Sequence, residues 1–269
     1  CIKAQGSHAV VQLHHGGMRA MGDYCDDTPM CPSDDESTNS KAMTIEEVEG
    51  FIEDCIASAV RCHKAGFDGV QLHGAHGYLI AQFLSPEINR RDDAYGGSPV
   101  KRAKVLFDII EGINASCGRS FSLGVRLSPE RFGQRTEEIR DLAGQLLTDD
   151  RIDYLDMSLW DVFKPAHDEA FAGESLLKVF TDLPRKGVAL GAAGKLYSAG
   201  DCQRAIDSGL DFVLIGRGAV VHADFPAQAM ANPDFAMLEL PVSRQHLADQ
   251  GLGPKFIDYM ASWKGFVAA

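Results

Sequence analysis

The sequence predicts an α/β fold with a parallel sheet and the length of a TIM (β/α)8-type barrel. Short apolar segments alternate with amphipathic helical patterns from Ala9 to Arg217, and this alternation predicts parallel strands with helices outside the sheet. The chain has 269 residues, a length typical of a single barrel of this type. Protonatable side chains follow strand ends, where such barrels hold their chemistry. Six strands are predicted to begin near residues 9, 69, 121, 154, 187 and 212.

Composition and charge limit the class of protein. Apolar residues make up 45% and charged residues 24% of the chain, so a large core is possible and disorder is not expected. We therefore expect residues 1–269 to form a single domain. The formal net charge of −12 argues against nucleic acid or an anionic membrane as a partner. No apolar run of about 18 residues or more is present, so no membrane-spanning helix is predicted.

The cysteines indicate a cytoplasmic protein without disulfides. Their number, seven, is odd, and no C-x-x-C pair occurs among them, which argues against an iron–sulfur cluster. Cys55 and Cys62 fall on one helical face, where small buried thiols are expected. Reduced thiols are typical of the cytoplasm, and no metal site is predicted.

The first predicted strand is apolar, whereas the segment that follows it is polar. Ala9 to Leu13 is apolar and contains two adjacent valines, which predicts a buried strand. His14 and His15 follow it directly, and we interpret both as structural side chains. Residues 21–42 are rich in Asp, Pro, Ser and Asn, which predicts a long excursion over the surface.

The first long helix has clear signals at both ends. Thr44 and Glu47 have the spacing of a capping box at its start, and Gly66 is placed to end it. Apolar residues follow at steps of three and four, which predicts one face packed on the sheet. The residues predicted on this face are Ile45, Val48, Ile52, Cys55, Ala59 and Cys62.

The stretch from Gly66 to Gly97 carries the first chemical signal. A short apolar strand, Gly69 to Leu72, is followed within six residues by His73, His76 and Tyr78. Neutral imidazoles can donate hydrogen bonds to a substrate oxygen, and a phenol can supply a proton. These three residues are therefore the candidate catalytic and substrate-binding groups; the alternative is that the histidines are structural.

The second half of the chain continues the alternation of predicted strands and helices. Helices are predicted to start at Ser98, Thr136 and Ser198. The predicted strands are Phe121 to Leu127, Asp153 to Trp160, Gly187 to Gly191 and Asp211 to Ile215. Arg126 lies at the end of its strand, where a guanidinium can hold an anion rigidly. The loop 160–167 is predicted to form a wall that faces the substrate.

The loops after the last two strands predict a phosphate site. Loops in these positions of a barrel bind phosphate through backbone N–H groups and helix N-termini. Gly194 and Gly216 allow close approach of the backbone, and Arg217 adds a fixed positive charge. From about residue 224 to residue 269 we expect a C-terminal helical extension that packs on the barrel or on a neighbouring subunit.

Several sequence blocks occur in an order typical of one family. The blocks are Gln12-Leu-His-His-Gly, His73-Gly-Ala-His-Gly-Tyr78, Gln82-Phe-Leu-Ser-Pro86, Asn89-Arg-Arg91, Tyr95-Gly-Gly97 and Gly216-Arg217. Together they closely resemble the old yellow enzyme family of FMN-dependent ene-reductases. Two positions depart from the family pattern: Met18 stands where Arg is usual, and Ala193-Gly194 where many members have Gly-Gly or Gly-Asn.

The resemblance implies a reaction, two cofactors and roles for individual residues. NADPH or NADH would deliver hydride through FMN to the β-carbon of an activated alkene, such as an α,β-unsaturated carbonyl compound. His73 and His76 would hydrogen-bond the carbonyl or nitro oxygen, and Tyr78 would protonate the α-carbon. The implied cofactor-binding residues are Gln12 and Arg126 for the flavin ring, and Gly194, Gly216 and Arg217 for the FMN phosphate.

The resemblance begins at what would be the family's third strand. Two βα units are therefore expected to be missing, and about six of eight strands to be present. Two free sheet edges predict weak FMN binding by the 269-residue chain and association into homo-oligomers. Two alternatives stay open: a flavin-binding fragment without turnover, and another FMN barrel enzyme, such as a hydroxy-acid oxidase or a dihydroorotate dehydrogenase. A multidomain enzyme resembling dienoyl-CoA reductase would need cluster-binding cysteines and a further nucleotide domain.

Overall fold

The computed structural model describes residues 2–20 and 27–268. Its main sheet has six parallel strands in the order β1, β4, β5, β6, β7, β8. This curved sheet is an incomplete (β/α)8-type barrel, as the sequence predicts. The predicted strand ends lie within two residues of the observed ones.

The strands of the main sheet are β1 Val10–Leu13, β4 Gly69–Gly74, β5 Ser122–Leu127, β6 Tyr154–Ser158, β7 Ala189–Ala193 and β8 Phe212–Leu214. A separate parallel pair consists of β2 Met30–Cys31 and β3 Lys41–Ala42. The helices are α1 Ile45–Lys64, α2 Leu79–Leu84, α3 Pro99–Arg102, α4 Lys104–Cys117, α5 Thr136–Thr148, α6 Leu176–Thr181, α7 Ala199–Asp207, α8 Arg217–Val221, α9 Phe225–Ala231, α10 Arg244–Asp249 and α11 Pro254–Ala261.

The apolar core lies between the convex face of the sheet and the helices that cover it. Val70, Leu72 and Val125 on the central strands have no exposed surface, and Leu106 and Ile110 of α4 are equally buried. Burial of each such side chain contributes about 1.5–3 kcal/mol to folding. The convex face therefore accounts for most of the apolar stabilisation and leaves the concave face for polar groups.

Helix α1 has the predicted capping box but not the whole predicted buried face. The Thr44 Oγ1 accepts a hydrogen bond from Glu47 N at 3.1 Å, and Glu47 Oε2 accepts one from Thr44 N at 2.8 Å. The placement of Ile45 in the core was wrong, because this residue lies in the first turn at the margin of the apolar stripe and is 43% exposed. Phe51, which was not predicted, is buried instead.

The segment predicted as a surface excursion is partly packed structure. Residues 21–26 lie outside the described residues, but residues 27–42 contain β2 and β3, and Cys31 is completely buried. Arg91 Nη1 donates to the carbonyl of Pro32 at 3.0 Å, and Arg90 N donates to Ser33 Oγ at 2.9 Å. The surface prediction fails here because these anchors come from a distant part of the chain.

The chain after β8 continues with short helices that share a small apolar cluster of their own. Its buried members are Val221, Val242, Leu247, Ile257, Met260 and Phe266. Within residues 2–20 and 27–268, no helix combines the length and the apolar character needed to cross a membrane. The described cysteines, Cys31, Cys55, Cys62, Cys117 and Cys202, are free thiols.

Candidate active site

The concave face of the sheet carries polar side chains near the carboxyl ends of the strands. The strand register places His73 of β4 beside Arg126 of β5, and Arg126 beside Asp156 of β6. One layer lower, Gln12 of β1 lies beside Gln71 of β4. Residues two apart on a strand share a face, so these five side chains lie on the same side of the sheet.

The two predicted histidines are in contact. Strand β4 runs through His73, and the turn that follows gives His76 a φ of 59°, a left-handed conformation that His adopts more readily than most side chains. The turn brings His76 Nδ1 to 3.2 Å from His73 Nε2. On its other side, His76 Nε2 lies 2.7 Å from Ser158 Oγ at the end of β6.

Both imidazoles are neutral at pH 7. Burial lowers the pKa of His73 to about 3, with a smaller effect from its neighbour His76. Burial, followed by the positive charge of Arg126, lowers the pKa of His76 to about 4. Each ring therefore carries a single N–H. The Nδ1 of His73 is buried and has no hydrogen-bond partner among the described residues.

Tyr78 lies beside this pair at the start of α2. Its ring centroid is 5.2 Å from that of His73 and 4.2 Å from that of His14. The guanidinium of Arg19 stands 5.4 Å from the centre of the same ring. The structure thus brings the three predicted catalytic residues together, and His14, interpreted as structural, packs directly against Tyr78.

A chain of polar contacts connects Arg126 with Gln12. Arg126 Nε lies 3.0 Å from Asp156 Oδ2, although its N–H is not directed at that oxygen, so the contact is an ion pair without a hydrogen bond. Gln71 Nε2 donates to Asp156 Oδ2 at 3.4 Å, and Gln12 Nε2 donates to Gln71 Oε1 at 2.6 Å. Burial raises the pKa of Asp156 to about 6, an effect that Arg126 opposes. One buried carboxylate therefore connects both residues that the resemblance assigns to a flavin ring.

A cavity at the ends of β5 to β8 joins Arg126 with the residues predicted to bind phosphate. Its lining residues are Arg126, Ser158, Trp160, Ala193, Gly194, Lys195, Leu196, Tyr197, Leu214, Gly216 and Arg217. At Gly194, with a φ of 152°, an added Cβ would lie only 2.8 Å from the amide nitrogen of Asp161, whereas at Gly216 it would meet open space. Arg217 Nη1 donates to the hydroxyl of Tyr197 at 3.0 Å. Gln12 lies outside this lining.

A second cavity adjoins the first on the side of the histidines. Its lining includes His76 and Arg131, and it shares Ser158 and Trp160 with the first cavity. Trp160 is 57% exposed and has the guanidinium of Arg131 4.7 Å from its ring centre. Of the loop predicted to face the substrate, Trp160 lines both cavities, whereas His167 lines neither.

The polar residues of this site that received no role from the sequence include Gln71, Asp156 and Ser158. A signal for two of them exists, because Asp156 and Ser158 alternate with the apolar residues Leu155 and Met157 along β6. Alternation of this kind marks a strand with one polar face. The polar face of β6 is thus visible in the sequence of the predicted strand.

Comparisons with known proteins identify the family of this chain. Residues 1–233 match the family model of the NADH:flavin oxidoreductase / NADH oxidase family. A probable NADH-dependent flavin oxidoreductase of Bacillus subtilis is 36% identical over 235 residues, which are 83% of this chain and 63% of the relative. The chain thus spans less than two thirds of that relative's length.

Solved structures with the same barrel are also similar. Morphinone reductase in complex with tetrahydroNAD is 27% identical with a TM-score of 0.70, over 91% of this chain and 70% of the other. An old yellow enzyme homologue from Zymomonas mobilis is 25% identical with a TM-score of 0.75, over 96% of this chain and 75% of the other. On the strength of the family match and the shared barrel, the chain belongs to the NADH:flavin oxidoreductase / NADH oxidase family.

Proposed function

We propose that this protein is an FMN-dependent ene-reductase that uses NADH or NADPH to reduce the C=C bond of an activated alkene. The observation that carries the proposal is the neutral His73–His76 pair beside Tyr78, at the same end of the sheet as Arg126. The name of the Bacillus relative and the tetrahydroNAD complex of morphinone reductase support a nicotinamide as hydride donor.

The side chains of the concave face fit FMN. Arg126 is partly exposed to the first cavity, where its guanidinium would face the electron-rich edge of a flavin ring. At the far end of this cavity, Gly216 leaves open space and Arg217 offers a positive charge for the phosphate. When bound, FMN would accept hydride from NADH or NADPH and return it to the alkene.

The histidine pair would bind the oxygen of the carbonyl or nitro group that activates the alkene. His76 lines the second cavity, and its Nδ1 lies 3.2 Å from His73 Nε2, so a substrate oxygen in that cavity would lie beside the pair. Negative charge develops on this oxygen as the alkene is reduced, and a fixed N–H group in a site shielded from water stabilises that charge. The neutral state of both rings suits them to donate a hydrogen bond and not a proton.

Tyr78 would supply the proton to the α-carbon of the alkene. Its ring is held in place by His14 and by the guanidinium of Arg19, and it adjoins the ring of His73. A phenol in this position can act as a general acid toward a substrate whose oxygen is held by the neighbouring histidine. The hydride and the proton would then be added to adjacent carbons.

A flavin-binding protein without turnover is the second candidate. It is favoured by the exposed position of Gln12 on β1, a strand at the edge of the described sheet. A site whose supporting groups are held loosely loses the precision that catalysis needs.

Anaerobic reduction followed by reoxidation tests the proposal. FMN-loaded protein should bleach with NADH or NADPH and recover its absorbance when 2-cyclohexenone or a nitroalkene is added, with formation of the saturated product. Tyr78→Phe is the matched variant: reoxidation by the enone should slow, while reoxidation by dioxygen, which needs no protonated carbon, should not. Bound FMN that no activated alkene reoxidises would support the second candidate, and protein that binds no FMN would overturn both.

A further inference from the structure

The loop after β5, residues 128–134, is fastened to the segment that carries the histidine pair. At its start, Ser128 Oγ accepts a hydrogen bond from His76 N at 3.1 Å. Farther along, the carbonyl of Gly133 accepts one from Ser85 Oγ at 2.8 Å, just beyond the end of α2. The loop therefore has a fixed position relative to the turn that carries His76.

Two successive residues of this loop, Arg131 and Phe132, have left-handed backbones, with φ of 69° and 54°. This conformation is unfavourable for residues with a side chain, and it persists where surrounding contacts hold it, often at ligand sites. The ring of Phe132 packs against Gly77, where an added Cβ would lie 2.7 Å from a ring carbon. The loop thus presents Arg131 to the second cavity, which Arg131 lines together with His76.

Among the described residues, the lining of the second cavity contains three charged side chains, Glu130, Arg131 and Lys164. Two of them compensate each other, because the buried carboxylate of Glu130 pairs with the ammonium of Lys164. The same carboxylate accepts a hydrogen bond from His167 N at 2.8 Å. Arg131 has no carboxylate partner within residues 2–20 and 27–268. The cavity therefore has an excess positive charge, in a chain whose formal net charge is −12.

The guanidinium of Arg131 is placed to bind an anion through its N–H groups. It lies over the ring of Trp160, 4.7 Å from the ring centre. A guanidinium held by its face against an aromatic ring keeps its planar fork of N–H donors available, and this fork matches the two oxygens of a carboxylate. A phosphate has the same chemistry. However, the 2′-phosphate of NADPH is attached at the adenosine end, far from the nicotinamide ring, whereas Arg131 shares its cavity with His76.

We propose that Arg131 is a substrate-binding residue that selects activated alkenes carrying a carboxylate apart from the group that activates the double bond. This substrate class rests on the proposed function, whereas binding of a carboxylate requires no turnover. The histidine pair would hold the activating oxygen and Arg131 the carboxylate, so two contacts would orient the double bond.

Two substrates that differ only in charge test the proposal, the enone acid 6-oxohept-4-enoate and its methyl ester. The saturated spacer gives both the same activated double bond. The parent protein should reduce the acid with the higher kcat/KM. Arg131→Gln should lower kcat/KM for the acid by about tenfold or more, as expected for loss of a hydrogen-bonded charge, and leave the ester unchanged. Arg135→Gln, a nearby exposed arginine outside the cavity lining, is the matched control and should change neither.

Calorimetric titration of the oxidised protein, in the presence of excess FMN, separates this proposal from the proposed function. The parent should bind the acid more tightly than the ester, and Arg131→Gln should bind both alike. Selective binding of the acid without turnover of either compound would support the carboxylate site and contradict the ene-reductase. Turnover of both compounds with no preference, equal in parent and Arg131→Gln, would overturn the carboxylate site and leave the ene-reductase standing. A raised KM for NADPH in Arg131→Gln, with unchanged preference for the acid, would assign Arg131 to the nucleotide and also overturn it.

Discussion

The carboxylate of Asp156 lies 3.0 Å from the guanidinium Nε of Arg126, on a side chain that has no exposed surface. The same carboxylate accepts a hydrogen bond from Gln71, which in turn holds Gln12. Removing one partner of a buried ion pair leaves the other charge uncompensated, and this is strongly destabilising. Arg126 and Asp156 should therefore respond as a unit to substitution.

We expect Arg126→Leu to lower the reduction potential of bound FMN. Reduction adds negative charge to the flavin, and the substitution removes a nearby positive charge that favours the reduced form. Dye-coupled spectroscopic titration measures the potential, with Arg126→Lys as a matched variant that keeps the charge and should shift it less. An unchanged potential with FMN bound would mean that Arg126 does not face the flavin.

Asp156→Asn should change how stability depends on pH. Burial raises the pKa of Asp156 from its ordinary value of 3.8 to about 6, so the folded state holds this proton more tightly than the unfolded state. The parent protein then loses stability, relative to a variant that cannot titrate, as the pH rises from about 4 to about 7. This relative change should reach about 3 kcal/mol.

Urea unfolding of both proteins across this pH range measures the difference. Glu137→Gln, a substitution at an exposed position of α5, serves as the control and should track the parent at every pH. A difference between parent and Asp156→Asn that stays constant with pH would show that the pKa of this carboxyl is not raised by folding.

The double substitution of His73 and His76 by Ala should slow enone reoxidation by at least about a hundredfold, while FMN stays bound. Loss of one fixed donor to a developing oxyanion typically costs about 2.7–4 kcal/mol of transition-state stabilisation. Since the two rings are in contact, His73→Ala alone should cost nearly as much as the pair. Stopped-flow reoxidation measures the rate, and a double variant as fast as the parent would contradict the assignment.

Gly194→Ala should weaken FMN binding by roughly tenfold, equivalent to about 1.4 kcal/mol. Its φ of 152° disfavours a side chain, and the new Cβ would press on the backbone of Trp160 and Asp161 at 2.8 Å, which moves the wall of the first cavity. Fluorescence titration with FMN measures the affinity. Gly200→Ala in α7, where the same methyl group meets nothing closer than 3.8 Å, should leave it unchanged.

A polypeptide of residues 1 to 269 alone should bind FMN weakly and associate. Strands β1 and β8 each have only one neighbour in the described sheet, and they carry or precede Gln12 and Arg217. Strands without lateral support hold ligand groups less precisely, and open edges favour pairing between chains. Absorbance and gel filtration check both points. A monomer with stoichiometric FMN would contradict the prediction.

Local sequence patterns predicted much of the fold and part of the candidate site. The capping box at Thr44 and the strand ends follow from spacing along the chain, and His73 lies directly after a predicted strand. Asp156 and Ser158 acquire partners only through strand register, because Gln71 and Arg126 lie on other strands. Contacts between residues far apart in the sequence do not follow from the periodicity of apolar residues. The packing of residues 27–42 depends on contacts of the same kind, so the sequence did not predict it.

The two faces of the sheet carry different kinds of side chain. Apolar side chains such as Val70 and Leu72 lie on the convex side, and the candidate site residues, such as His73 and Arg126, lie on the concave side. A substitution on one face changes few contacts on the other. Side chains on the concave face can therefore be exchanged during evolution while the layer that holds the fold together keeps its composition.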